Sequence, residues 1–459
     1  MTASSADVVI CGAGLGGISA AYYLAVVEGI SDIVIVDERP PLTLTSDKST
    51  ECYRNWWPGP EDTMVRFINR SIDLLEKLAD DSGNYFGLNR RGYVFLTADP
   101  DRIETFKRSA QEISALGAGP VRIHEPGSSS YQPSSPEGYR DMPTGADIML
   151  GSELIRQHYP FLDENVTALL HPRRCGWLSA QQLGMYMLDQ AKAHGARFLS
   201  GKVSDVTISN DRIEAVRAQA KDETVVINTN AFVNAAGPMV KEVGRMIGVD
   251  LPVFNELHGK VAFNDTQGVL PRDLPLMIWS DPVLLPWSEE ERVELAHDDE
   301  TRWLLDEFPA GVHFRPEGIG HSQVLLLLWT YDVEVKEPIF PPEFDQAHPE
   351  IVLRGLSRMV PGLSTYFNRM GKPSVDGGYY CKTQENRPLI GPMPVDGAYL
   401  IGALSGFGVM ACQAAGELLA AHVAGSPLPD YAPLFLLERY DDPSYQEFLA
   451  QIDSSSGQL

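Results

Sequence analysis

The chain has 459 residues, 44% of them hydrophobic and 22% charged, with a formal net charge of -25. At ~150 residues per domain this predicts two or three structural units with ample apolar material for a core. The acidic balance argues against nucleic acid and against docking on anionic lipid, both of which need a basic face, and it predicts a well-solvated surface.

Asp7–Cys11 is a short apolar run ending at glycines, which predicts a buried parallel strand. Gly16–Val27 reads as a helix and Ile33–Val36 as a second buried strand closing on Asp37 and Glu38, so a βαβ unit opens a doubly wound sheet. Residues 40–60 read as loop, Glu61–Leu78 as an amphipathic helix and Arg91–Thr97 as a strand, with a further helix from near Asp101. The stretch 125–146 is of low complexity and reads as a mobile surface loop. A helix over Gln181–His194 leads to Arg197–Leu199, then a hairpin over Val203–Val216 turning at Asn210-Asp211, then one strand over Val225–Asn234. From Leu251 to about Met370, strands such as Gly259–Phe263 and Gln323–Tyr331 alternate with loops, with one acidic helical insert, Ser288–Phe308. Tyr399–Gly425 restores a glycine-rich βα pattern.

The five cysteines, at 11, 52, 175, 381 and 412, form no CxxC pair, which predicts reduced thiols and no metal site. No run approaches the ~18 apolar residues of a membrane span. The apolar N-terminal stretch has no basic leader and does not read as a signal peptide, so the expected location is cytoplasmic.

Gly12-Ala13-Gly14-Leu15-Gly16-Gly17 matches GxGxxG through glycines 12, 14 and 17. Gly12 makes the tight turn, Gly14 admits a pyrophosphate to the backbone, and Gly17 packs helix on strand. The helix N-terminus then receives the anion. Asp37 stands twenty positions after Gly17, placed for ribose hydroxyls, with Glu38 beside it. The cofactor candidates of this unit are Gly12, Ala13, Gly14, Leu15, Gly17, Asp37 and Glu38. An acid at that place favours FAD or NAD over NADP; the fingerprint alone does not separate the first two.

The C-terminal third carries more. Gly377–Gly391 (GGYYCKTQENRPLIG) and Tyr399–Met410 (YLIGALSGFGVM), with Glu153–Leu162 (ELIRQHYPFL) and Val233–Pro238 (VNAAGP), resemble the D-amino-acid oxidase family, which includes glycine oxidase, sarcosine oxidases and dimethylglycine-type dehydrogenases. The resemblance implies FAD as cofactor and hydride transfer from the carbon beside an amine nitrogen to flavin N5, giving an imine that hydrolyses. It implies that Gly402, Gly406, Phe407, Gly408, Val409 and Met410 lie against the flavin, with a helix from near Val409 aiming its positive end at the ring. It also implies that Val203 touches adenine, that Ala236 and Gly237 approach the pyrophosphate, and that Ser49 and Thr50 run beside the ring.

Departures from the family pattern shape the expectation further. The position of its covalent cysteine is Gly378 here, and Cys381 lies three residues later, so FAD is expected to be non-covalent. Thr50 and Arg54 reproduce the spacing of a carboxylate-binding arginine, whereas a second carboxylate ligand, a lysine in the family, is Met410, and a third, an arginine, is Tyr380. No lysine lies between Lys260 and Lys336, and the strand matching the oxygen-activating lysine, Val324–Trp329, is apolar. Without a cation near the flavin edge, a dehydrogenase or slow oxidase is favoured over a fast oxidase.

Arg54, with Asn55, Trp56 and Trp57, reads either as a substrate-binding cluster or as loop packing. His258 reads as a general base or as a packed core histidine, and Lys382 as a partner of reduced flavin or a solvated cation. The insert reads as a covering helix or as a docking face for a partner or electron carrier.

The expected fold is α/β: a Rossmann-like FAD-binding domain of glutathione-reductase type with an inserted antiparallel-sheet substrate domain (α+β). The FAD-binding part is expected over 1–80, 151–250 and 371–459, and the substrate part over 81–150 and 251–370. The expected function is oxidation of a C–N bond in a small amine or amino acid, N-methylated ones included, held by Arg54, Tyr379 and Tyr380, with His258 as the further catalytic candidate. The electron acceptor and oligomeric state stay open. The alternatives are a flavin-binding assembly protein without efficient turnover and an NAD-linked dehydrogenase.

Overall fold

Val8–Cys11 is buried at every position, as a parallel strand covered on both faces must be. It lies between Ile33–Asp37 and Phe232–Asn234, parallel to both, and Ala398–Gly402 adds a further parallel strand beside Phe232–Asn234. In this computed structural model, which describes residues 2–452 apart from 60, 222 and 319, those strands are the centre of a nine-stranded sheet. The sheet continues outward through Arg197–Ser209, Arg212–Ala220, Glu223–Asn228 and Thr2–Ser5 on one side, and Leu389–Pro392 on the other.

Helices pack together around the fingerprint: Leu15–Tyr22 touches Gly408–Ala424 and Ala180–Ala193, and Gly408–Ala424 touches Thr63–Ser82. Leu15–Tyr22 packs on Gly408–Ala424 so closely that a Cβ on Gly416 would strike Ser19. Ser19 Oγ donates to the Cys412 carbonyl at 2.6 Å, and Tyr23 Oη bonds Gln413 Oε1 at 3.1 Å. Thr63–Ser82 buries Val65, Phe67, Ile68, Ile72, Leu75 and Leu78, the stripe its helical spacing places on one face, and ends on Gly83 at φ 64°.

The second nine-stranded sheet runs in the order Ser374–Lys382, Phe254–Asn264, Val324–Leu328, His313–Pro316, Leu276–Trp279, Tyr93–Thr97, Ala168–Pro172, Ala146–Leu150, Val121–His124. Six of its pairings are antiparallel, and two, Leu276–Trp279 with Tyr93–Thr97 and Val121–His124 with Ala146–Leu150, are parallel. The sheet is therefore mixed, where an antiparallel one was expected. It also takes Ala168–Pro172 and Ser374–Lys382 from segments assigned to the nucleotide part. The last residues of the expected third segment, 453–459, lie outside the described residues.

Other expectations shift for physical reasons. Val225–Asn234 is two strands, Glu223–Asn228 and Phe232–Asn234, because Thr229 turns the chain: its Oγ1 donates to the Asp7 carbonyl and accepts from Ala231 N–H. The insert is one helix of nine residues, Glu289–His297, held by a Ser288/Glu291 capping box, and a short turn, Arg302–Leu305, follows. The stretch 125–146 has little regular structure but is pinned, since Tyr131 Oη bonds Tyr159 Oη at 2.6 Å and His171 Nδ1 at 2.8 Å, and Tyr139 donates to Asp80. Ser405–Ala424 is by length and composition apolar enough to cross a membrane, a run the sequence reading passed over; most of it is buried inside the fold.

Candidate functional site

The fingerprint turn is built as its glycines require. Gly12 has φ 115° and a Cβ there would collide with the Ala235 carbonyl; a Cβ on Gly17 would collide with the Gly12 carbonyl. The first is thus the tight turn and the second the helix–strand contact. Gly14 meets only Ser46 Oγ, at 3.2 Å, and otherwise faces a cavity of about 630 Å³.

The cavity runs from Gly14, Leu15 and Gly16 to Gly402–Gly406, Gly408 and Val409, with Thr45, Ser46, Ser49, Ala235, Gly237 and Pro238 along its sides and Tyr379, Tyr380 and Cys381 as a further wall. Two helix N-termini, of Leu15–Tyr22 and Gly408–Ala424, therefore open on one space. Both ends present backbone N–H groups and a positive dipole end, which favours an anionic ligand. The turn between strand and second helix is strained: Ala403 and Ser405 have φ 51° and 50°. Ser405 lines the cavity with its Oγ buried and without a protein partner.

Of the nucleotide candidates, Gly14, Leu15, Ser49, Gly237, Gly402, Gly406, Gly408 and Val409 line this cavity. Gly12, Ala13 and Gly17 shape it from behind. Asp37 Oδ2 accepts from Ala13 N–H at 2.8 Å and Oδ1 from Arg39 N–H at 2.9 Å, so its carboxylate is tied to the turn while keeping lone pairs for hydroxyls. Glu38 pairs instead with Arg39 at 3.5 Å. Thr50 turns its carbonyl to Arg315 Nε at 2.6 Å. Val203 sits buried at a bulge in its strand, and Ala236 donates its N–H to Asn234 Oδ1, between lining neighbours. Phe407 packs edge-on against Trp57 with centroids 4.9 Å apart, and Met410 is buried in the core. None of these last five is in the cavity wall.

The catalytic candidates divide. Tyr379 and Tyr380 line the cavity. Tyr379 Oη is fastened to the backbone of Ile339, accepting its N–H at 3.0 Å and donating to its carbonyl at 3.1 Å. The ring of Tyr380 stacks on His258 at 4.0 Å, and a Cβ on Gly406 would stand 2.6 Å from it. His258 is buried behind Tyr380, with Nε2 3.3 Å from Glu256 Oε2 and Nδ1 3.1 Å from Thr330 Oγ1. Burial lowers its pKa against the pull of Glu256, which favours the neutral ring. Arg54 is also buried and outside the cavity wall, its guanidinium 5.4 Å from the Trp57 ring and 6.0 Å from Tyr93. Burial lowers its pKa too. Trp56 and Trp57 are both buried.

Lys382, read as solvated or flavin-facing, is neither: it is 1% exposed and bonds both oxygens of Glu256 at 3.0 and 3.1 Å. Glu256 is thus the hub of a buried row, Lys382–Glu256–His258–Thr330, which the sequence reading missed. Its signal was present in ELHGK, where Glu256 and His258 share a strand face at spacing two. Thr45, Ser46 and Ser405 were also missed. Ser46 Oγ accepts from Leu15 N–H at 3.0 Å and Thr45 Oγ1 donates to the Tyr379 carbonyl at 2.7 Å; no local pattern marks either. Glu51, beside the cavity loop, faces buried Arg315 at 3.6 Å, and burial pushes its carboxyl up to about 7.

The residues fit a flavin dinucleotide. Backbone at both ends is bared by glycine, the helix ends favour its anionic groups, and the Ser405 hydroxyl is unmatched within the protein. Fold and cavity together define a dinucleotide-binding α/β protein whose second sheet contributes Tyr379, Tyr380 and Cys381 to the cavity wall.

A family model narrows the class: residues 7–422 match DAO, FAD dependent oxidoreductase, and the chain belongs to that family, with FAD as its cofactor. Human mitochondrial dimethylglycine dehydrogenase is 26% identical over 276 residues, 59% of this chain and 28% of that protein. Mouse mitochondrial sarcosine dehydrogenase is 24% identical over 270 residues, 58% of this chain and 26% of that one. The match thus spans about a quarter of these relatives' length. Among solved structures, glycine oxidase from Geobacillus kaustophilus superposes with a TM-score of 0.71 at 16% identity, covering 95% of this chain and 99% of that one. L-proline dehydrogenase from P. horikoshii gives 0.69 at 19% identity, covering 95% and 98%. Iminodiacetate oxidase from Chelativorans sp. BNC1 gives 0.67 at 18%, covering 94% and 98%. These likenesses are of fold.

Proposed function

We propose that the chain oxidises the C–N bond of a small amine or amino acid, N-substituted glycines first among them, with non-covalently bound FAD as the immediate hydride acceptor. The observation that carries the reading is the single cavity on which two helix N-termini and the Tyr379/Tyr380 wall converge. The names of the relatives support the substrate class: dimethylglycine, sarcosine, glycine, proline and iminodiacetate all carry an amine nitrogen beside a carbon bearing a carboxylate.

Gly14 and Leu15 would hold the diphosphate on the first helix, and Gly406, Gly408 and the Ser405 hydroxyl would face the ring. The N-terminus of Gly408–Ala424 favours negative charge at that end of the cavity. Tyr379, tied to Ile339 and packed on Phe340 at 5.4 Å, closes one side against water, and Tyr380, backed by His258, gives a firm apolar wall. Burial pushes the Cys381 thiol up to about 12, leaving little thiolate for a covalent bond to flavin. The apolar strand Val324–Leu328 supports a dehydrogenase over a fast oxidase.

The test is anaerobic addition of N-methyl and primary amino acids to the holoprotein while the flavin's visible absorbance is followed. Bleaching by N-methylglycines, with slow recovery on admitting air, is expected. No bleaching by any member of the panel defeats the reading in favour of a flavin-bound assembly protein, and fast recovery defeats the dehydrogenase preference.

A further inference from the structure

The two tyrosines of the cavity wall are held in different ways. Tyr379 is fixed through its hydroxyl, which both accepts from and donates to the Ile339 backbone. Tyr380 forms no such bond among the described residues, so packing sets its ring. Gly406 meets one edge of that ring, where a Cβ would stand 2.6 Å from Cε2. His258 covers a face, with ring centroids 4.0 Å apart and planes inclined by 20°.

Strand register makes the stack. Phe254–Asn264 pairs antiparallel with Ser374–Lys382 so that Glu256 stands opposite Tyr380 and His258 opposite Gly378. Opposed residues share a sheet face, and alternation along the strand puts Lys382 on it as well. Gly378 sends out no side chain opposite His258, which leaves the imidazole room to lie over the next residue on that face, Tyr380.

The imidazole is itself gripped at both nitrogens. Nε2 lies 3.3 Å from Glu256 Oε2, and a carboxylate only accepts, so Nε2 carries the proton and Nδ1 accepts from Thr330 Oγ1 at 3.1 Å. Lys382 bonds both oxygens of Glu256. Burial raises the Glu256 carboxyl, but the bonds from His258 and Lys382 outweigh it and hold the group below the usual range. A ring held at both nitrogens presents a fixed plane. With both committed to the row, His258 has none to offer a substrate, and its flat face is what the cavity wall uses.

We infer that His258 is a positioning residue for the amine oxidation proposed above: held by Glu256, Lys382 and Thr330, it sets the angle of Tyr380 and through it the wall on which substrate and flavin meet. The chemistry of this inference rests on that reading, whereas the setting of Tyr380 beside flavin is independent of which substrate is oxidised.

The experiment compares the FAD holoprotein with His258→Leu, which keeps bulk but loses the flat face, and His258→Phe, which keeps both. Two quantities are measured: the visible circular dichroism of the bound flavin, which reports the groups packed around its ring without turnover, and the limiting rate of flavin reduction by N-methylglycine under argon. His258→Leu is expected to change the dichroism and slow reduction at least about tenfold, with the half-saturating N-methylglycine concentration changed less. His258→Phe is expected to recover most of both, which a proton-transfer role for the imidazole would not permit. In a Tyr380→Ala background the leucine exchange is expected to add nothing, because it acts through that ring. Thr330→Val, at a half-buried position, frees Nδ1 and is expected to give a smaller loss in the same direction; it serves if the leucine variant does not fold. A parent flavin left unbleached by the whole amine panel defeats the proposed oxidation, and the dichroism still decides the positioning role. Unchanged dichroism in His258→Leu and Thr330→Val, no recovery in His258→Phe, or a fully additive loss in the Tyr380→Ala background overturns the inference.

Discussion

The clearest site geometry at the residue scale is the contact between Gly406 and Tyr380. The tyrosine ring cannot retreat, because His258 stacks on it at 4.0 Å. Gly406→Ala is therefore expected to displace either the ring or the backbone against which flavin would lie, and to weaken FAD binding at least tenfold by fluorescence titration of the apoprotein. The Glu256–Lys382 pair makes the second prediction. Removing the carboxylate strands a buried ammonium, so Glu256→Ala is expected to cost about 3–5 kcal/mol in urea unfolding. Replacing both groups with apolar residues, Glu256→Leu with Lys382→Met, is expected to recover most of the loss. At this scale the sequence was informative where a residue's role is enforced by its own backbone. Gly12 and Gly17 are required by collisions any side chain would suffer. It was silent on Ser46 and Ser405, whose positions come from loops, and it left open whether Arg54 meets substrate or packs; the structure places it among Trp57 and Tyr93.

Among elements, the helix Gly408–Ala424 does the most. Its close approach to Leu15–Tyr22 depends on Gly416, so the two cavity-facing N-termini are set by one small residue far along the second helix. Gly416→Val is expected to destabilise by about 1–3 kcal/mol through overpacking, and to lower flavin content although it touches no part of the cavity. Urea unfolding and the flavin-to-protein absorbance ratio check the two parts. Strands with buried, uninterrupted apolar runs were legible, Val8–Cys11 and Ile33–Asp37 among them. The break at Thr229 was not, because an apolar run does not show where a hydroxyl will divert the backbone. The acidic insert misled for the opposite reason: its helix has a good cap but buries none of its residues, and it is anchored from outside by Arg354, which forks onto Glu291 and stacks 3.9 Å from Trp287.

For the whole molecule, the two sheets were legible from texture, while their membership was not, since Ala168–Pro172 and Ser374–Lys382 join the second sheet through pairings no local pattern encodes. The buried histidines give the molecule a definite acid response. Burial pushes His171 down to about 3 and His313 down to about 4, from about 6.5 in an unfolded chain. The native state therefore binds fewer protons than the unfolded one in that interval, so stability is whole above pH ~6.5 and falls as pH drops toward 4. Denaturation midpoints measured from pH 7.5 to 4.5 are expected to decline, and His171→Gln to flatten the slope; a flat parent profile would remove the argument.

Phe232–Asn234 bridges Val8–Cys11, from the beginning of the chain, and Ala398–Gly402, from near its end. During synthesis the first strand's open edge waits for Phe232–Asn234, and the fingerprint helix waits for Gly408–Ala424, about 400 residues downstream, roughly 20–80 s at ~5–20 residues per second. Through that interval the nascent chain carries an apolar strand edge and half a cleft. A chain halted before residue 400 would be unable to close around its nucleotide, and its unpaired strand edge would be open to aggregation.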